Sequence, residues 1–279
     1  MGRIEEALAK LHAQRGGPAA RSPVGRVVDA GLPPAEQLYG GRHIAVDMNR
    51  LRAHGLMAPE NEERRLADEY RTIKRPLLEN ASKLRDPPIP LGNLLMITSA
   101  VAGEGKTFTS LNLCLSIARE RDWNAVLVDA DAQKRHLTRL FGAEKEQGLL
   151  DLLRDPKLVF DSLVMPTDVP GFFLLPAGQA DEHSTELLSS SSMQTLCAQL
   201  ATRPGSMFVF DSAPLLMSSD PLALAGQVGQ VLLVVLANKT AQEAVLQACE
   251  KLDDSKAVSL LLNQASSHAA SLYYSHYGE

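Results

Sequence analysis

The chain has 279 residues, of which 45% are hydrophobic and 22% charged, with a formal net charge of −5 at pH 7. This composition is typical of a globular protein with a sizeable core, and the acidic balance argues against a nucleic-acid binder. No run of roughly 18 uncharged apolar residues occurs, so no membrane-spanning helix is predicted. The three cysteines are far apart in the sequence and predict free thiols, not a disulfide framework or metal site.

The first 90 residues are predicted to form an extension before the main domain. Residues 3–14 carry apolar side chains on one face of an amphipathic helix, which is either a docking helix or a frayed start. Residues 15–42 are rich in Gly and Pro and predict a flexible linker. Residues 60–82 predict a charged helix that Pro76 kinks or divides, and their interleaved charges indicate a solvated face.

From residue 94 onward, apolar strands alternate with helical patterns. The candidate strands are 94–99, 125–129, 172–175, 207–211, 231–236 and 258–262. This alternation predicts an α/β fold in which a mostly parallel sheet is flanked by helices on both faces. Ligands of such sheets bind at the carboxyl ends of the strands, which is where a functional site is expected.

The first strand runs directly into a glycine-rich turn that opens a helix, Ala100-Val101-Ala102-Gly103-Glu104-Gly105-Lys106-Thr107. The pattern is typical of a phosphate-binding loop, because glycines let backbone amides approach a phosphate and the helix N-terminus adds partial positive charge. Lys106 is expected to reach the β- and γ-phosphates and the Thr107 hydroxyl to ligate Mg²⁺. Ala100 stands where the general pattern has Gly. The alternative, a glycine turn with a chance lysine, is disfavoured by the succession of strand, loop and helix.

Two further strands end in acidic residues, Asp129-Ala130-Asp131 and Asp211-Ser212-Ala213-Pro214. Carboxylates at the ends of neighbouring strands are expected to face the phosphate site. There such a pair can ligate Mg²⁺, and one member can take a proton from the nucleophile. Each Asp alone is also explained by a strand-ending turn, but beside the phosphate-binding loop the functional interpretation is favoured.

Three of the five tyrosines lie in the last seven residues, at Tyr273, Tyr274 and Tyr277. They follow serines and a histidine without apolar neighbours, so residues 266–279 are predicted to form a mobile tail. Tyrosines on such a tail make good phosphoacceptors. An aromatic tail that docks onto a surface, or chance, are the alternatives that the residues leave open.

Taken in order, these motifs resemble the bacterial tyrosine kinase family, and more closely the free-standing tyrosine autokinases of exosortase-linked exopolysaccharide systems. That family has a Walker A loop, a Walker A′ motif D-x-D, a Walker B motif D-x-x-P and a C-terminal tyrosine cluster. The likeness extends to residues 1–10, 70–78, 176–178 and 186–188. It implies a modified P-loop ATPase fold related to septum-site and partition ATPases, whose signature lysine is here Val101.

The resemblance implies that the chain uses ATP and Mg²⁺. The implied nucleotide-binding residues are Ala102, Gly103, Glu104, Gly105, Lys106, Thr107, Phe108 and Asn263. Asn263 would read the adenine, although a turn asparagine explains it nearly as well. The implied catalytic residues are Lys106, Asp129, Asp131 and Asp211, with Asp129 deprotonating or orienting the tyrosine hydroxyl. The implied Mg²⁺ ligands are Thr107, Asp131 and Asp211, and the implied phosphoacceptors are Tyr273, Tyr274 and Tyr277.

Two departures from the family pattern bear on catalysis and assembly. Gln133 stands where the family often has Arg, and Lys134-Arg135 follows it as a candidate source of the positive charge. The family's E-x-x-R-x-x-R oligomerisation helix appears here as Asp68, Arg71 and Lys74. The charge signs are kept, but Asp is shorter than Glu and Lys cannot fork bidentately as Arg does.

The resemblance also implies partners and a cellular place. In a homo-oligomeric ring, the tail of one subunit enters the active site of its neighbour. A membrane chain-length or co-polymerase protein on a separate chain activates the kinase, a phosphatase reverses it, and no nucleic acid is bound. The implied place is cytoplasmic, at the inner face of the membrane through that partner. The phosphorylation cycle would regulate biosynthesis and export of an exopolysaccharide.

The predicted organisation is an N-terminal helix and linker (1–42), a helical oligomerisation extension (43–90), a P-loop tyrosine kinase domain (91–265) and the tyrosine tail (266–279). The predicted function is that of an ATP-dependent protein-tyrosine autokinase. One alternative is a P-loop switch ATPase of the septum-site or partition type, which positions a partner without kinase activity and is opposed by Val101. Another is a nucleotide-binding scaffold that has lost catalysis, which the intact acidic residues oppose.

Overall fold

The computed structural model describes residues 39–82, 85–253 and 256–265. The predicted helix over 3–14, most of the predicted linker and the predicted tyrosine tail lie outside these residues. None of the helices in the described part of the chain combines the length and apolar character that crossing a membrane requires.

Seven strands form one sheet in the order β3-β4-β2-β5-β1-β6-β7. They are β1 (Leu94–Ser99), β2 (Asn124–Asp129), β3 (Met165–Pro166), β4 (Phe172–Leu175), β5 (Ser206–Asp211), β6 (Gln230–Leu236) and β7 (Ala257–Asn263). Neighbouring strands pair in parallel, except that β3 runs antiparallel to β4. The six predicted strands are confirmed. Strand β3 was not predicted, because two residues are too few to show a period.

Helices cover both faces of the sheet, as predicted. They are α1 (Met48–Ala53), α2 (Glu63–Ala81), α3 (Lys106–Ile117), α4 (His136–Leu140), α5 (Leu149–Arg154), α6 (Phe160–Leu163), α7 (Ser184–Leu188), α8 (Ser191–Ala201), α9 (Asp220–Ala225) and α10 (Gln242–Glu250). A 3-10 turn, Glu60–Glu62, leads into α2. Every residue of β1, β2 and β5 is buried, which explains why these strands are almost continuously apolar instead of alternating.

Helix α2 runs without interruption through Pro76, so of the two predicted effects of this proline the division of the helix is excluded, and the kink stays a prediction. Proline in a helix interior costs about 3 kcal/mol, because it removes one backbone hydrogen bond and crowds the preceding turn. Burial of Tyr70, Lys74 and Leu77 on the opposite side of the helix offsets that cost. Packing, and not local propensity, therefore decides the length of α2.

Lys74 is turned towards its own chain. It is only 6% exposed, and its Nζ lies 2.6 Å from the Ser116 carbonyl and 2.6 Å from Glu120 Oε1. Asp68 and Arg71, the other two residues matched to the oligomerisation motif, are exposed and pair with each other. Within the described chain the Lys74 ammonium is therefore engaged by the end of α3 and by Glu120, and a part for Lys74 in oligomerisation stays a prediction.

The chain joins the sheet earlier than the predicted end of the linker. Tyr39 is buried, with its ring centroid 4.7 Å from that of Phe173 in an edge-on contact. The amides of Gly40 and Gly41 donate to the carbonyls of Asp161 and Val164. The prediction that the linker reaches residue 42 is wrong at this end, since a single aromatic anchor within a Gly-rich stretch leaves no periodic signal.

Candidate functional site

The glycine-rich turn joins β1 to α3, at the carboxyl edge of the sheet. Gly103 and Gly105 have φ values of 83° and 94°, in the left-handed region that glycine adopts without strain. A Cβ atom on Gly105 would lie 2.1 Å from Nδ2 of Asn263, so neither the backbone nor the neighbour admits a side chain there. Helix α3 begins at Lys106, which directs its free N-terminal amides at the turn.

Glu104 holds the turn in shape from within. Its side chain is buried, with Oε2 accepting from the Val101 amide at 2.8 Å and Oε1 accepting from the Thr240 hydroxyl. Its carbonyl accepts from Asn263 Nδ2 at 2.9 Å, and Asn263 Oδ1 accepts from the Gln264 amide. The structure thus gives Glu104 and Asn263 a role in fixing the loop, and the reading of adenine by Asn263 stays a prediction.

The strand order brings the acidic motifs beside this loop. Strand β5 lies between β2 and β1, and Asp211 is in register with both Asp129 and Ile97. Within the described residues, Lys106, Thr107, Asp129, Asp131 and Asp211 therefore gather where the three strands end. Phe108 instead packs its ring into the apolar layer below the loop. Ala102 and Gly103 are exposed on the loop's outer side.

Asp211 is completely buried and accepts two hydroxyl hydrogen bonds. Thr107 Oγ1 donates to Oδ2 and Ser110 Oγ donates to Oδ1, each at 2.8 Å. Burial raises the pKa of Asp211 to about 7, against the lowering effect of these two bonds and the ammonium of Lys106. Ser110 was not predicted, although its position three residues after Thr107 puts both hydroxyls on one helix face and is a readable signal.

Asp129 is also buried, but only one of its carboxylate oxygens is partnered. Both the amide and the hydroxyl of Thr138 donate to Oδ2, each at 2.7 Å. Its Oδ1 is buried and has no hydrogen-bond partner within the described structure. Burial raises the pKa of Asp129 to about 6, the bonds from Thr138 and the nearby Asp131 amide oppose that rise, and the Asp131 carboxylate adds to it; the Asp131 amide does not reach hydrogen-bond geometry to Oδ1. Buried carboxylate oxygens without a partner are uncommon, so Oδ1 indicates a place for a cation or a donor group.

Asp131 and Lys106 complete the charged set. Asp131 Oδ1 accepts from the Lys134 amide at 3.0 Å. Burial lowers the pKa of Lys106, the carboxylates of Asp211 and Asp131 oppose this, and the positive charge of Lys134 adds to the lowering. The site thus holds three carboxylates against one buried ammonium, an imbalance that favours binding of a divalent cation.

The oxygen donors at this site fit Mg²⁺, which prefers carboxylate and hydroxyl ligands and retains water and phosphate oxygens beside them. In the part of the chain that the structure describes, no three His, Cys, Asp or Glu side chains converge on one point as a closed metal cage. The Thr107 hydroxyl and the Asp211 carboxylate, which already contact each other, are oxygen donors of the kind that holds Mg²⁺ together with a nucleotide's phosphates.

The two candidates for the missing family arginine differ in the structure. Arg135 has a φ of 45°, and its guanidinium donates to the Gly178 carbonyl at 2.9 Å. Lys134 is exposed at the edge of the site, and its charge acts on Lys106. Arg135 is therefore occupied with the neighbouring loop, while Lys134 remains the cation that faces solvent beside the phosphate loop.

Comparison with known proteins places these features in a family. Residues 95–270 match the family model of the CobQ/CobB/MinD/ParA nucleotide binding domain. The tyrosine-protein kinase YwqD of Bacillus subtilis is 31% identical over 212 residues, which cover 75% of this chain and 86% of YwqD. The putative tyrosine-protein kinase EpsB of Ralstonia solanacearum is 34% identical over 142 residues, or 51% of this chain.

The chain spans only 18% of the length of EpsB, so that relative contains much that this chain does not match. Among solved structures, the kinase domain of VpsO is 30% identical and superposes with a TM-score of 0.61, covering 75% of this chain and all of that one. The predicted P-loop fold and the resemblance stated from the motifs are both confirmed. The chain belongs to the bacterial tyrosine kinase family.

Proposed function

We propose that this chain is an ATP-dependent protein-tyrosine autokinase whose acceptors are Tyr273, Tyr274 and Tyr277. The observation that carries the proposal is the buried Oδ1 of Asp129, which has no hydrogen-bond partner among the described residues. Asp129 belongs to the same cluster of buried charged groups as Asp211 and Lys106. A carboxylate oxygen free to accept a proton, beside a phosphate-binding loop, is what transfer to a hydroxyl requires. The kinase names of YwqD and EpsB support the same reaction.

Each of the site residues has its own role in the proposed reaction. Asp129 Oδ1 accepts the proton of the tyrosine hydroxyl, whose pKa of about 10 makes it a poor nucleophile without a base. The tyrosine oxygen then bonds to the γ-phosphorus as the bond from that phosphorus to the β–γ bridging oxygen breaks, giving phosphotyrosine and ADP. Lys106 and the loop amides neutralise charge on the transferred group. Mg²⁺, held by Thr107, Asp131 and Asp211, would supply further neutralisation.

Burial of the other tyrosines supports the choice of acceptors. The chain has five tyrosines, and both that lie in the described residues, Tyr39 and Tyr70, are at most 6% exposed. Burial raises the pKa of both phenols above the usual value, and no phosphate donor can reach either buried hydroxyl in the folded chain. The remaining three tyrosines are those of the predicted tail.

We also propose the wider setting that the resemblance implies. Transfer occurs in trans within a homo-oligomeric ring, in which residues 43–90 contribute to assembly and 91–265 carry the chemistry. Phosphorylated tails, each adding nearly two negative charges, repel one another and favour disassembly until a phosphatase acts. A separate membrane co-polymerase holds the chain at the inner face of the membrane and couples the cycle to exopolysaccharide export, and nucleic acid plays no part.

The test is to incubate the purified chain with Mg-ATP and to map phosphotyrosine in the C-terminal peptide. We expect phosphate on at least one of Tyr273, Tyr274 and Tyr277, and none in Lys106→Ala. Lys145→Ala, which removes an exposed lysine that is not one of the site residues, is the matched control and should label as the parent does. Release of free phosphate without a labelled tail would contradict the kinase assignment and support a switch ATPase.

A further inference from the structure

Thr138 is a buried residue of α4 that no motif in the sequence marks. Its side chain has no exposure to solvent, and it lies nine positions after Asp129. Its amide and its hydroxyl both donate to the same oxygen of Asp129, Oδ2, at 2.7 Å. Two donors from one residue thus converge on one atom of the proposed base.

The direction of the hydroxyl hydrogen bond is determined by its other neighbour. The amide of Ala177 donates to Thr138 Oγ1 at 2.9 Å. Because a backbone amide can only donate, the hydroxyl must accept there and keeps its single proton for Asp129. Hydrogen bonds linked in this way polarise one another, so the hydroxyl is a stronger donor than an isolated threonine.

The loop that provides this amide is itself held firmly. Its Pro176 and Ala177 carbonyls accept from the amides of Leu149 and Leu150 at the start of α5. The Gly178 carbonyl accepts from Arg135. The loop therefore holds the Ala177 amide at a fixed position. That amide orients the Thr138 hydroxyl, which in turn orients the Asp129 carboxylate.

We propose that Thr138 is a positioning residue for tyrosine phosphorylation, which fixes the Asp129 carboxylate so that Oδ1 is left free to accept the proton. The inference rests on the proposed function. The torsion that rotates a carboxylate about its Cβ–Cγ bond is broad, so an unheld carboxylate presents either oxygen in many orientations. Two donors on Oδ2 remove that freedom, which leaves Oδ1 as the one oxygen available to the acceptor hydroxyl.

The experiment compares Thr138→Val with Thr138→Ser in tail phosphorylation. Valine keeps the shape of threonine but removes the hydroxyl, and serine restores it. We expect Thr138→Val to lower the rate at saturating ATP (kcat) by about tenfold or more, while the ATP concentration giving half that rate (KM) changes less than about twofold. Thr138→Ser should recover most of the rate, and Thr195→Val, an exposed helical threonine, should lose none.

A role through Asp129 predicts a specific non-additivity. In the Asp129→Asn background, Thr138→Val should cost no further rate, because the group that it positions is already absent. An equal fractional loss in both backgrounds, an unchanged kcat, or a rise in KM alone would each overturn the inference. A general structural role for Thr138 would lower the rate by the same fraction in both backgrounds.

Loss of the hydroxyl also leaves the Ala177 amide without its acceptor, so rates are measured well below the thermal midpoint of each variant. If Thr138→Val does not fold, Thr138→Cys takes its place, because its thiol stands where the hydroxyl did and donates only weakly. We then expect a smaller fall in kcat, again with little change in KM. A wild-type chain that labels no tail tyrosine refutes the proposed function and this inference together. A labelling wild type with equally active Thr138 variants refutes this inference alone.

Discussion

Among single residues, the site crowds three carboxylates and one ammonium into a largely buried space. Burial raises the pKa values of Asp129 and Asp211 to about 6 and about 7 and lowers that of Lys106, so each charged form is disfavoured by its surroundings. Such an arrangement lowers the stability of the empty protein and becomes favourable when a cation and phosphates balance the charges.

Asp129→Asn tests this cost directly. Without nucleotide and in the presence of a chelator at pH 8, we expect the variant to be more stable than the parent by about 1 kcal/mol, or about 3 °C in Tm. The reason is that a neutral amide keeps the bond from Thr138 without placing a charge where Oδ1 has no partner. Thermal unfolding followed by circular dichroism measures the two Tm values. A lower Tm for Asp129→Asn would contradict a destabilising charge at Asp129. Tail phosphorylation should fall to a slow but measurable residual rate in the same protein.

The contact between Glu104 and Thr240 gives a second residue-scale prediction. Removing the Thr240 hydroxyl by Thr240→Val leaves Glu104 Oε1 with a poorer donor, the Leu236 amide at 3.5 Å. Because a hydrogen bond to a buried charged group contributes about 1.5–3 kcal/mol, we expect ATP affinity to weaken by roughly tenfold as the loop loosens.

The matched control is Thr240→Ser, which retains the donor and should bind ATP as the parent does. Glu104→Gln should weaken binding as well, and the double variant with Thr240→Val should be less than additive, because both changes break one contact. Isothermal titration with an unhydrolysable ATP analogue measures each affinity. Fully additive losses would show that the two residues act separately.

At the scale of elements, helix α2 joins the extension to the domain that carries the site. Tyr70, Lys74 and Leu77 bury one side of α2, and the Lys74 ammonium contacts the Ser116 carbonyl at the end of α3. The opposite side carries exposed charges, among them the Asp68–Arg71 pair. One side of α2 therefore packs against the domain, and the opposite side is exposed to solvent.

Lys74→Ala and Arg71→Ala should separate these two sides. We expect Lys74→Ala to reduce the free energy of unfolding by about 2 kcal/mol, because it removes a buried charged hydrogen bond and the packed side-chain stem. Arg71→Ala, which breaks an exposed pair, should change it by less than about 0.5 kcal/mol. Urea denaturation measures both.

Sedimentation velocity then reads the assembly of the same two variants. If a ring forms through the exposed side of α2, Arg71→Ala should weaken it without loss of stability. Lys74→Ala should change assembly only in proportion to its unfolding. Weakened assembly in a fully stable Lys74→Ala protein would contradict the internal role that the structure gives to this residue.

For the whole molecule, one sheet edge collects everything that the chemistry needs. Strands β1, β5 and β2 are neighbours, so the phosphate loop, Asp211 and the Asp129–Asp131 pair meet although Thr107 and Asp211 are 104 positions apart in the chain. Both tyrosines in the described residues are buried inside that same unit. Under the proposed function the acceptors are the three other tyrosines, which permits transfer between copies.

Mixing two inactive variants tests transfer between copies. Lys106→Ala keeps an intact tail, and the triple Tyr→Phe variant at 273, 274 and 277 keeps an intact site. We expect the Lys106→Ala tail to become phosphorylated in the mixture, at a rate that rises with protein concentration. An unlabelled mixture, together with a wild-type rate independent of concentration, would show that transfer occurs within one chain.

The sequence by itself determined the strands, the phosphate loop and the acidic residues, because each is a local pattern: an apolar run, a glycine spacing, an Asp at the end of a strand. Their meeting at one edge also followed, since parallel strands end on the same side of a sheet. Only the tertiary structure decided which of these residues face the site and which hold it. Thr138 meets Asp129 across 9 positions, Lys74 meets Ser116 across 42 and Glu104 meets Thr240 across 136. Contacts over such separations depend on how helices and loops pack against the sheet, and no periodicity within a short segment contains that information.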